Sequence, residues 1–115
     1  MPDVFFTRIN GKFQSILFKD VLYFAARKNY SEIYTIHKKR ICIYISLGLI
    51  ETTLPNHLFC RIHRSFIIAT QKIKSFDRNY VYVGEEKLPI SKLYFDELIS
   101  RVVVIANGHD IKNKE

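Results

Sequence analysis

Short apolar runs separated by turn-forming residues dominate this chain. Val4–Ile9 is rich in β-branched and aromatic residues, and Asn10-Gly11 directly after it is typical of a type I′ hairpin turn. Residues 41–47 alternate apolar and polar side chains, which indicates a strand with one buried face. Val21–Ala26 is apolar throughout, which indicates a central strand covered on both faces. This pattern predicts a mainly β fold.

Two segments with helical periodicity complete the pattern. Ser46 can cap a short central helix whose apolar face is formed by Leu47, Ile50 and Leu54. Ser91 is a candidate N-cap for a C-terminal helix over residues 92–104, with an apolar stripe toward the core. Further strands are predicted at residues 12–18, 30–37, 65–69, 72–77, 80–83 and 87–90. Pro89 places the last of these at a sheet edge or a strand end.

Length and composition indicate one folded domain without a membrane span. The chain has 115 residues, of which 48% are hydrophobic, so it can bury a core. Its apolar runs are too short to cross a bilayer, and the N-terminal residues lack the pattern of a signal peptide. Cys42 and Cys60 could pair, but we expect a cytoplasmic protein with two buried thiols.

The positive charge is concentrated in the middle of the chain. The formal net charge is +7, and the segment from Val21 to Phe76 holds nine cations and two acids, whereas the remainder holds nine of each. A segregated excess of this kind is typical of proteins that bind nucleic acids or anionic membranes. A generally basic soluble protein is the alternative, but the segregation favours a polyanionic partner.

Residues 59–68 combine core-forming and donor-rich side chains. Arg61, His63, Arg64 and Ser65 lie between apolar residues, and none of the four is an acid. Such a segment can anchor its ends in a core and present a cationic loop to phosphates and base edges. We predict an irregular conformation for residues 59–64; an edge strand with solvated arginines is the alternative.

A catalytic or metal site has little support in the sequence. His57 and His63 are six positions apart with no acid between them, and Cys60 alone does not complete a metal site. The four glycines are scattered, and no nucleophile motif is present. The seven tyrosines could stack on single-stranded bases, but half-buried strand tyrosines are the favoured explanation. We therefore expect no enzyme activity, no cofactor and no metal.

Five motifs follow one another along the chain. They are Asp20-Val21-Leu22-Tyr23-Phe24, Asn29-Tyr30, Phe59-Cys60-Arg61-Ile62-His63-Arg64-Ser65-Phe66-Ile67-Ile68, Lys72-Ile73 and Leu88-Pro89-Ile90-Ser91-Lys92-Leu93-Tyr94. In this order they resemble the LytTR family, the β-rich DNA-binding module of many bacterial response regulators. The resemblance runs from about Ile16 to Val102 and depends on the combination of motifs rather than on any single one.

The resemblance implies an elongated, multi-sheet β fold with a short central helix and a C-terminal helix. Residues 1–105 would form the single LytTR-like domain, and residues 106–115 a polar C-terminal tail. Double-stranded DNA would lie across one side, with loops entering the major groove. We expect a bacterial transcriptional regulator that binds repeated half-sites, with a homodimer on DNA as one arrangement. The alternative is a small basic module that binds RNA or a protein on the same fold.

Carried over by position, three groups of residues would face DNA: Arg27, Lys28, Asn29, Tyr30 and Ser31; Arg61, His63, Arg64 and Ser65; and Ser91, Lys92 and possibly Tyr94, for which core packing is the alternative. Arg64 is the first choice for a base contact, because its guanidinium can bind guanine O6 and N7 in a bidentate manner. Asn29 and Lys92 are weaker candidates. We expect Arg61, Lys28 and Ser65 to hold phosphates, and His63 to orient the loop.

Two positions depart from the family pattern. Ala69 stands where the family usually has asparagine, which puts the hydrogen bonds of the local turn in question. Lys92 stands in place of an arginine; it keeps the charge but loses the planar fork. No receiver domain precedes the first predicted strand, so we expect either a stand-alone regulator or a piece of a longer one.

Overall fold

The computed structural model of the chain describes residues 2–111. Within them, ten strands form three antiparallel sheets, accompanied by two helices and a C-terminal helical turn. The strands are β1 (Val4–Ile9), β2 (Lys12–Leu17), β3 (Val21–Ala26), β4 (Ser31–Thr35), β5 (Arg40–Ile43), β6 (Phe59–His63), β7 (Phe66–Ala69), β8 (Ile73–Phe76), β9 (Tyr80–Val83) and β10 (Glu86–Pro89). The helices are α1 (Leu47–Thr53), α2 (Lys92–Arg101) and the turn α3 (Gly108–Ile111). The predicted mainly β fold is confirmed.

A five-stranded sheet in the order β5-β4-β3-β7-β6 forms the centre of the domain. As predicted, β3 is its central strand, and successive residues of β3 enter different cores. Phe24 packs with Ile33 and Ile67 on the side of α1 and the β1–β2 hairpin. Tyr23 packs on the other side, toward α2 and the three-stranded sheet β10-β9-β8. The domain therefore has one core on each side of the central sheet. It is elongated, with extents of 51 × 30 × 26 Å.

The predicted hairpin turn and the predicted edge proline are both confirmed. Asn10 and Gly11 have φ values of 51° and 78°, the left-handed backbone that a type I′ turn needs. β1 pairs with β2 in register across this turn. Pro89 ends β10, which lies at the edge of its sheet, where its missing N–H removes no interior ladder bond.

The central helix follows the prediction, but the C-terminal helix differs from it. The Ser46 hydroxyl accepts a hydrogen bond from the Leu49 N–H at 3.2 Å and so caps α1. The Ser91 side chain makes no capping hydrogen bond. The backbone N–H of Ser91 instead donates to the Ile62 carbonyl at 2.9 Å. α2 ends at Arg101 rather than at residue 104, and Val103 is 92% exposed. The run of β-branched valines after Arg101 disfavours another helical turn.

The prediction of an irregular segment at residues 59–64 is wrong. Phe59–His63 forms β6, an edge strand with an irregularity in register between Arg61 and His63. Cys60 and Ile62 share the face toward one core, while Phe59 faces the other. In the sequence, the charged residues of the segment interrupt this alternation. In the structure, Arg61 has hydrogen-bond and ion-pair partners within the protein, so it does not disrupt the strand.

The expectation of two buried thiols holds only for Cys60. Burial raises the pKa of the Cys60 thiol to about 11, so this thiol is protonated at neutral pH. Cys42 is exposed. It lies on β5, at the edge of the sheet, and points to the face opposite Ile41 and Ile43, where no further strand covers it. The predicted strand over residues 41–47 also ends early, at Ile43, because Ser46 begins α1.

The turn after β7 forms without the family's usual asparagine. The Thr70 N–H donates to the Leu58 carbonyl at 3.0 Å, and the Thr70 hydroxyl reaches the same oxygen at 3.4 Å. Ala69 itself is buried in the core. No helix among residues 2–111 has the length and apolar character that a bilayer crossing needs. Residues 112–115 of the predicted polar tail lie outside the described residues.

Candidate nucleic-acid interface

Three loops meet at one end of the five-stranded sheet. They are the loop between β3 and β4 (residues 27–30), the turn between β6 and β7 (residues 64–65), and the connection from β10 to α2 (residues 90–91). The Ala26 N–H donates to the Ser65 carbonyl at 2.8 Å, which joins the first two loops. The Ser91 N–H on the Ile62 carbonyl joins the third loop to β6. The fold thus brings all three sequence-predicted groups together; we call these loops the loop end.

Arg64 occupies the tip of the β6–β7 turn with an exposed side chain. Its guanidinium makes no hydrogen bond or ion pair with any other residue in the range 2–111. Only its backbone carbonyl is engaged, as the acceptor of a bond from Arg61. An unpaired guanidinium on a backbone held in place can bind a planar pair of acceptors at little ordering cost.

Arg61 is bound on all sides by the protein itself. Its side chain is only 12% exposed. Nε donates to the His63 carbonyl at 2.8 Å, one terminal nitrogen donates to the Arg64 carbonyl, and the other pairs with Glu51 of α1 at 2.7 Å. These bonds hold the β6–β7 turn in shape. The structure therefore makes Arg61 a support for Arg64 and leaves few donors for the predicted phosphate contact.

His63 orients the same turn, as the sequence interpretation favoured. Its Nδ1 accepts a hydrogen bond from the Ser65 N–H at 3.0 Å, which requires a neutral ring with the proton on Nε2. Burial, with the positive charges of Arg64 and Arg61, lowers the pKa of His63 below its ordinary value of 6.5. The ring also lies beside Phe66.

The state of His63 gives a testable dependence on pH. Because the fold favours the neutral His63 ring, this ring contributes to the free energy of unfolding in full above pH 6.5. We expect that contribution to be lost as the pH falls through the lowered pKa of His63. An NMR titration of the His63 ring should show a pKa below 6.5, with faster exchange of the Ser65 amide proton once the ring is charged. A His63→Gln variant should lack this acid-dependent exchange. A pKa at or above 6.5 would contradict the assignment.

The first residue of the β3–β4 loop is tied to a buried carboxylate. Arg27 Nε lies 2.7 Å from Glu32 Oε1, and Arg40 Nε lies 3.4 Å from Oε2. The side chain of Glu32 is only 3% exposed. The Tyr34 hydroxyl donates to the same carboxylate at 2.8 Å; burial and this bond raise the pKa of Tyr34, so the donor keeps its proton. Arg27 is thus paired with an internal carboxylate, although its own side chain is 38% exposed.

The other residues of this loop divide into exposed and engaged side chains. Lys28 and Asn29 are exposed and bind no other side chain among residues 2–111. Tyr30 is half-buried, with its ring 6.0 Å from that of Tyr44. Ser31 is 1% exposed, and its hydroxyl donates to the Ile45 carbonyl at 2.6 Å. The Ser31 hydroxyl therefore links the start of β4 to the segment between β5 and α1 and is not presented to a ligand.

The remaining predicted residues lie in the β6–β7 turn and at the start of α2. Lys92 is exposed at the start of α2. Ser91 and Ser65 are half-buried; the backbone of each is fixed by the bonds described above, and neither hydroxyl is used within residues 2–111. Tyr94 is half-buried and belongs to neither core cluster of the described part of the chain. These hydroxyls and the Lys92 ammonium suit contacts to phosphate oxygens.

Two acids that support the site escaped the sequence interpretation. Glu32 holds Arg27, and Glu51 holds Arg61. The signal was present, because these are the only two acids between Val21 and Phe76 in a strongly cationic segment. Among residues 2–111, no group of three or more histidine, cysteine, aspartate and glutamate side chains is arranged to hold a metal ion.

Comparison with known protein families places the chain in one of them. The sequence profile of the family described as "LytTr DNA-binding domain" matches residues 11–102. The chain belongs to the LytTr DNA-binding domain family. The family is one of DNA-binding domains rather than of enzymes.

Two relatives illustrate the likeness. The chain is 30% identical over 86 residues to the sensory transduction protein LytT of Bacillus subtilis (strain 168), an alignment that covers 70% of this chain and 35% of the relative. The LytTr domain thus spans about a third of that relative's length. It also superimposes on the LytTr DNA-binding domain of a Bacillus cereus protein described as a methyl-accepting/DNA response regulator, with a TM-score of 0.70 and 23% identity, over 86% of this chain and 98% of the other. The second likeness concerns the fold.

Proposed function

We propose that this LytTr domain recognises a specific sequence of double-stranded DNA by inserting the Arg64 turn into the major groove. The observation that carries this proposal is the contrast between Arg64 and its neighbours. Arg61 and Arg27 are each paired with a glutamate of the protein, Arg27 while still 38% exposed, whereas the exposed guanidinium of Arg64 is unpaired on a turn that three internal hydrogen bonds hold. Such a guanidinium fits the O6 and N7 acceptors of guanine.

The surrounding side chains suit the positioning of the DNA backbone. Lys28, in the β3–β4 loop, and Lys92, at the start of α2, are exposed cations, and the hydroxyls of Ser65 and Ser91 are unused within residues 2–111. Contacts of this type neutralise phosphates and set the register of a protein on DNA without reading its sequence. Asn29 is a second candidate for a base contact, because an amide can pair with adenine N6 and N7.

We further propose that the domain works as a bacterial transcriptional regulator in the cytoplasm, with two copies on repeated half-sites. Residues 1–105 would be the DNA-binding unit. The membership of the family supports regulation through DNA binding. The relative from Bacillus subtilis is named a sensory transduction protein, which fits control of such a regulator by a signal.

The test is a selection of bound duplexes from a random pool, followed by titration of the selected duplex with wild-type protein and an Arg64→Ala variant. We expect a consensus to emerge, and the variant to lose about 1–3 kcal/mol of binding free energy with relaxed choice at one base pair. Lys19→Ala is the matched control, because Lys19 is an exposed cation at the opposite end of β3 from the loop end.

Two results would contradict this function. The first is that no consensus sequence emerges and the affinity for DNA falls steeply as the salt concentration rises. Binding would then be a non-specific electrostatic attraction. Tighter binding to single-stranded RNA than to any duplex would favour the alternative of an RNA-interaction module.

A further inference from the structure

We propose that Tyr44 is an additional DNA contact, whose phenol hydroxyl donates to a backbone phosphate beside the base that Arg64 reads. This inference rests on the proposed function and adds a fourth segment, the connection between β5 and α1, to the three loops described above. Neither charge patterning nor motif spacing pointed to this residue.

Tyr44 lines a groove that also contains the proposed reading residue. The walls of this groove, about 390 Å³ in volume, are formed by the β3–β4 loop, by residues 44–48 and by Arg61 with Arg64. No aspartate or glutamate lines it. Since Lys28 and Arg64 are unpaired cations on its walls, the groove is suited to an anionic occupant.

The exposure of Tyr44 is unusual for an aromatic side chain. It is 83% exposed, more than any other tyrosine of the described chain, although a tyrosine gains free energy when its ring is covered. The centroids of the Tyr44 and Tyr30 rings lie 6.0 Å apart, and the ring planes are tilted by 58°. Tyr30 is therefore a neighbour of Tyr44 on the groove wall. An exposed aromatic group beside unpaired cations is therefore poised to be covered by a ligand.

The backbone on both sides of Tyr44 is fixed. The Ile45 carbonyl accepts the hydrogen bond from the buried Ser31 hydroxyl at 2.6 Å, and Ser46 caps α1 through Leu49. Ile43, on the other side, is buried in the core. The phenol is thus presented from a rigid connection, so that a hydrogen bond to a ligand costs little ordering entropy.

The chemistry of the phenol selects the phosphate as its partner. A tyrosine hydroxyl is a neutral donor that commonly binds phosphate oxygens in protein–DNA complexes. Because it carries no charge, it releases no counterion when it binds. Its loss should therefore weaken binding without changing the salt dependence, unlike the loss of a lysine.

The experiment compares Tyr44→Phe with wild type on the duplex selected from the random pool and on a random duplex of equal length. We expect Tyr44→Phe to bind both duplexes about fivefold to tenfold more weakly, with unchanged base preference and an unchanged slope of affinity against salt. Lys28→Met should instead lower that slope by about one ion. Tyr80→Phe, an exposed tyrosine on β9, is the matched control and should bind as wild type.

The outcomes separate this inference from the proposed function. If Tyr44→Phe and Tyr44→Ala both bind like wild type while Arg64→Ala is impaired, the Tyr44 contact is wrong and the function stands. If Tyr44→Phe relaxes the preference for one base pair, the residue reads a base and the phosphate assignment is wrong. If wild type itself prefers no duplex, the proposed function fails; weaker binding of Tyr44→Phe to the random duplex then still supports the phosphate contact, and binding equal to wild type overturns it. Near-ultraviolet circular dichroism of each variant checks that the fold is retained.

Discussion

Replacing Arg61 by methionine is expected to lower the free energy of unfolding by about 3 kcal/mol and to abolish selective DNA binding, although the Arg61 side chain is nearly covered by protein. The change removes the donors from the carbonyls of His63 and Arg64 and leaves Glu51 without its partner. The turn that presents Arg64 then loses the bonds that define its shape. Chemical denaturation and titration with the selected duplex measure the two effects.

The matched variants for Arg61 separate a supporting role from a phosphate contact. Arg61→Lys keeps the charge but has a single ammonium in place of the fork, so it should recover only a small part of the lost stability. Glu51→Gln leaves both carbonyl bonds in place and should cost at most about 1 kcal/mol, because Glu51 is 45% exposed. If Arg61→Lys kept wild-type stability and Arg61→Met only reduced the salt slope, Arg61 would be a phosphate contact.

A second large effect is expected for Arg27→Met, which should destabilise the domain by about 3 kcal/mol. The change leaves the carboxylate of Glu32, only 3% exposed, with Tyr34 and the more distant Arg40 as partners. A buried charge that loses its nearest counter-ion costs more than the ion pair contributed, because its hydration is not restored. Thermal or chemical unfolding measures this loss directly.

The double variant Arg27→Met with Glu32→Gln tests the cause. Removing the unpaired carboxylate charge should raise the free energy of unfolding by about 1–2 kcal/mol relative to Arg27→Met alone, because glutamine keeps the shape of glutamate and its hydrogen bond with Tyr34. Lys28→Met, the next residue in the same loop, is exposed and should change stability by less than about 0.5 kcal/mol. A stable Arg27→Met protein with a reduced salt slope in DNA binding would instead assign Arg27 to the phosphates.

Much of the fold followed from local patterns in the sequence. The Asn10-Gly11 turn, the central position of Val21–Ala26 and the capped start of α1 all depend on residues close together in the chain. These features are set by backbone conformation and by side-chain alternation, which local sequence encodes. The strand at Phe59–His63 was missed because Arg61, which disguised the alternation, is neutralised by a residue of α1.

The sequence alone determined the family, the strand content and the location of the cationic loops, since each of these depends on residue type and order. Only the tertiary structure decided which cations are available to a ligand. Arg27, Arg61 and Arg64 are chemically alike in the sequence, yet Glu32 and Glu51 bind the first two from other elements and leave the third unpaired. The same holds for Ser31, whose hydroxyl reaches Ile45, and for Tyr44, which stands exposed beside Arg64. The physical reason is that a side chain's availability depends on partners distant in sequence, and the fold alone brings those partners within bonding distance.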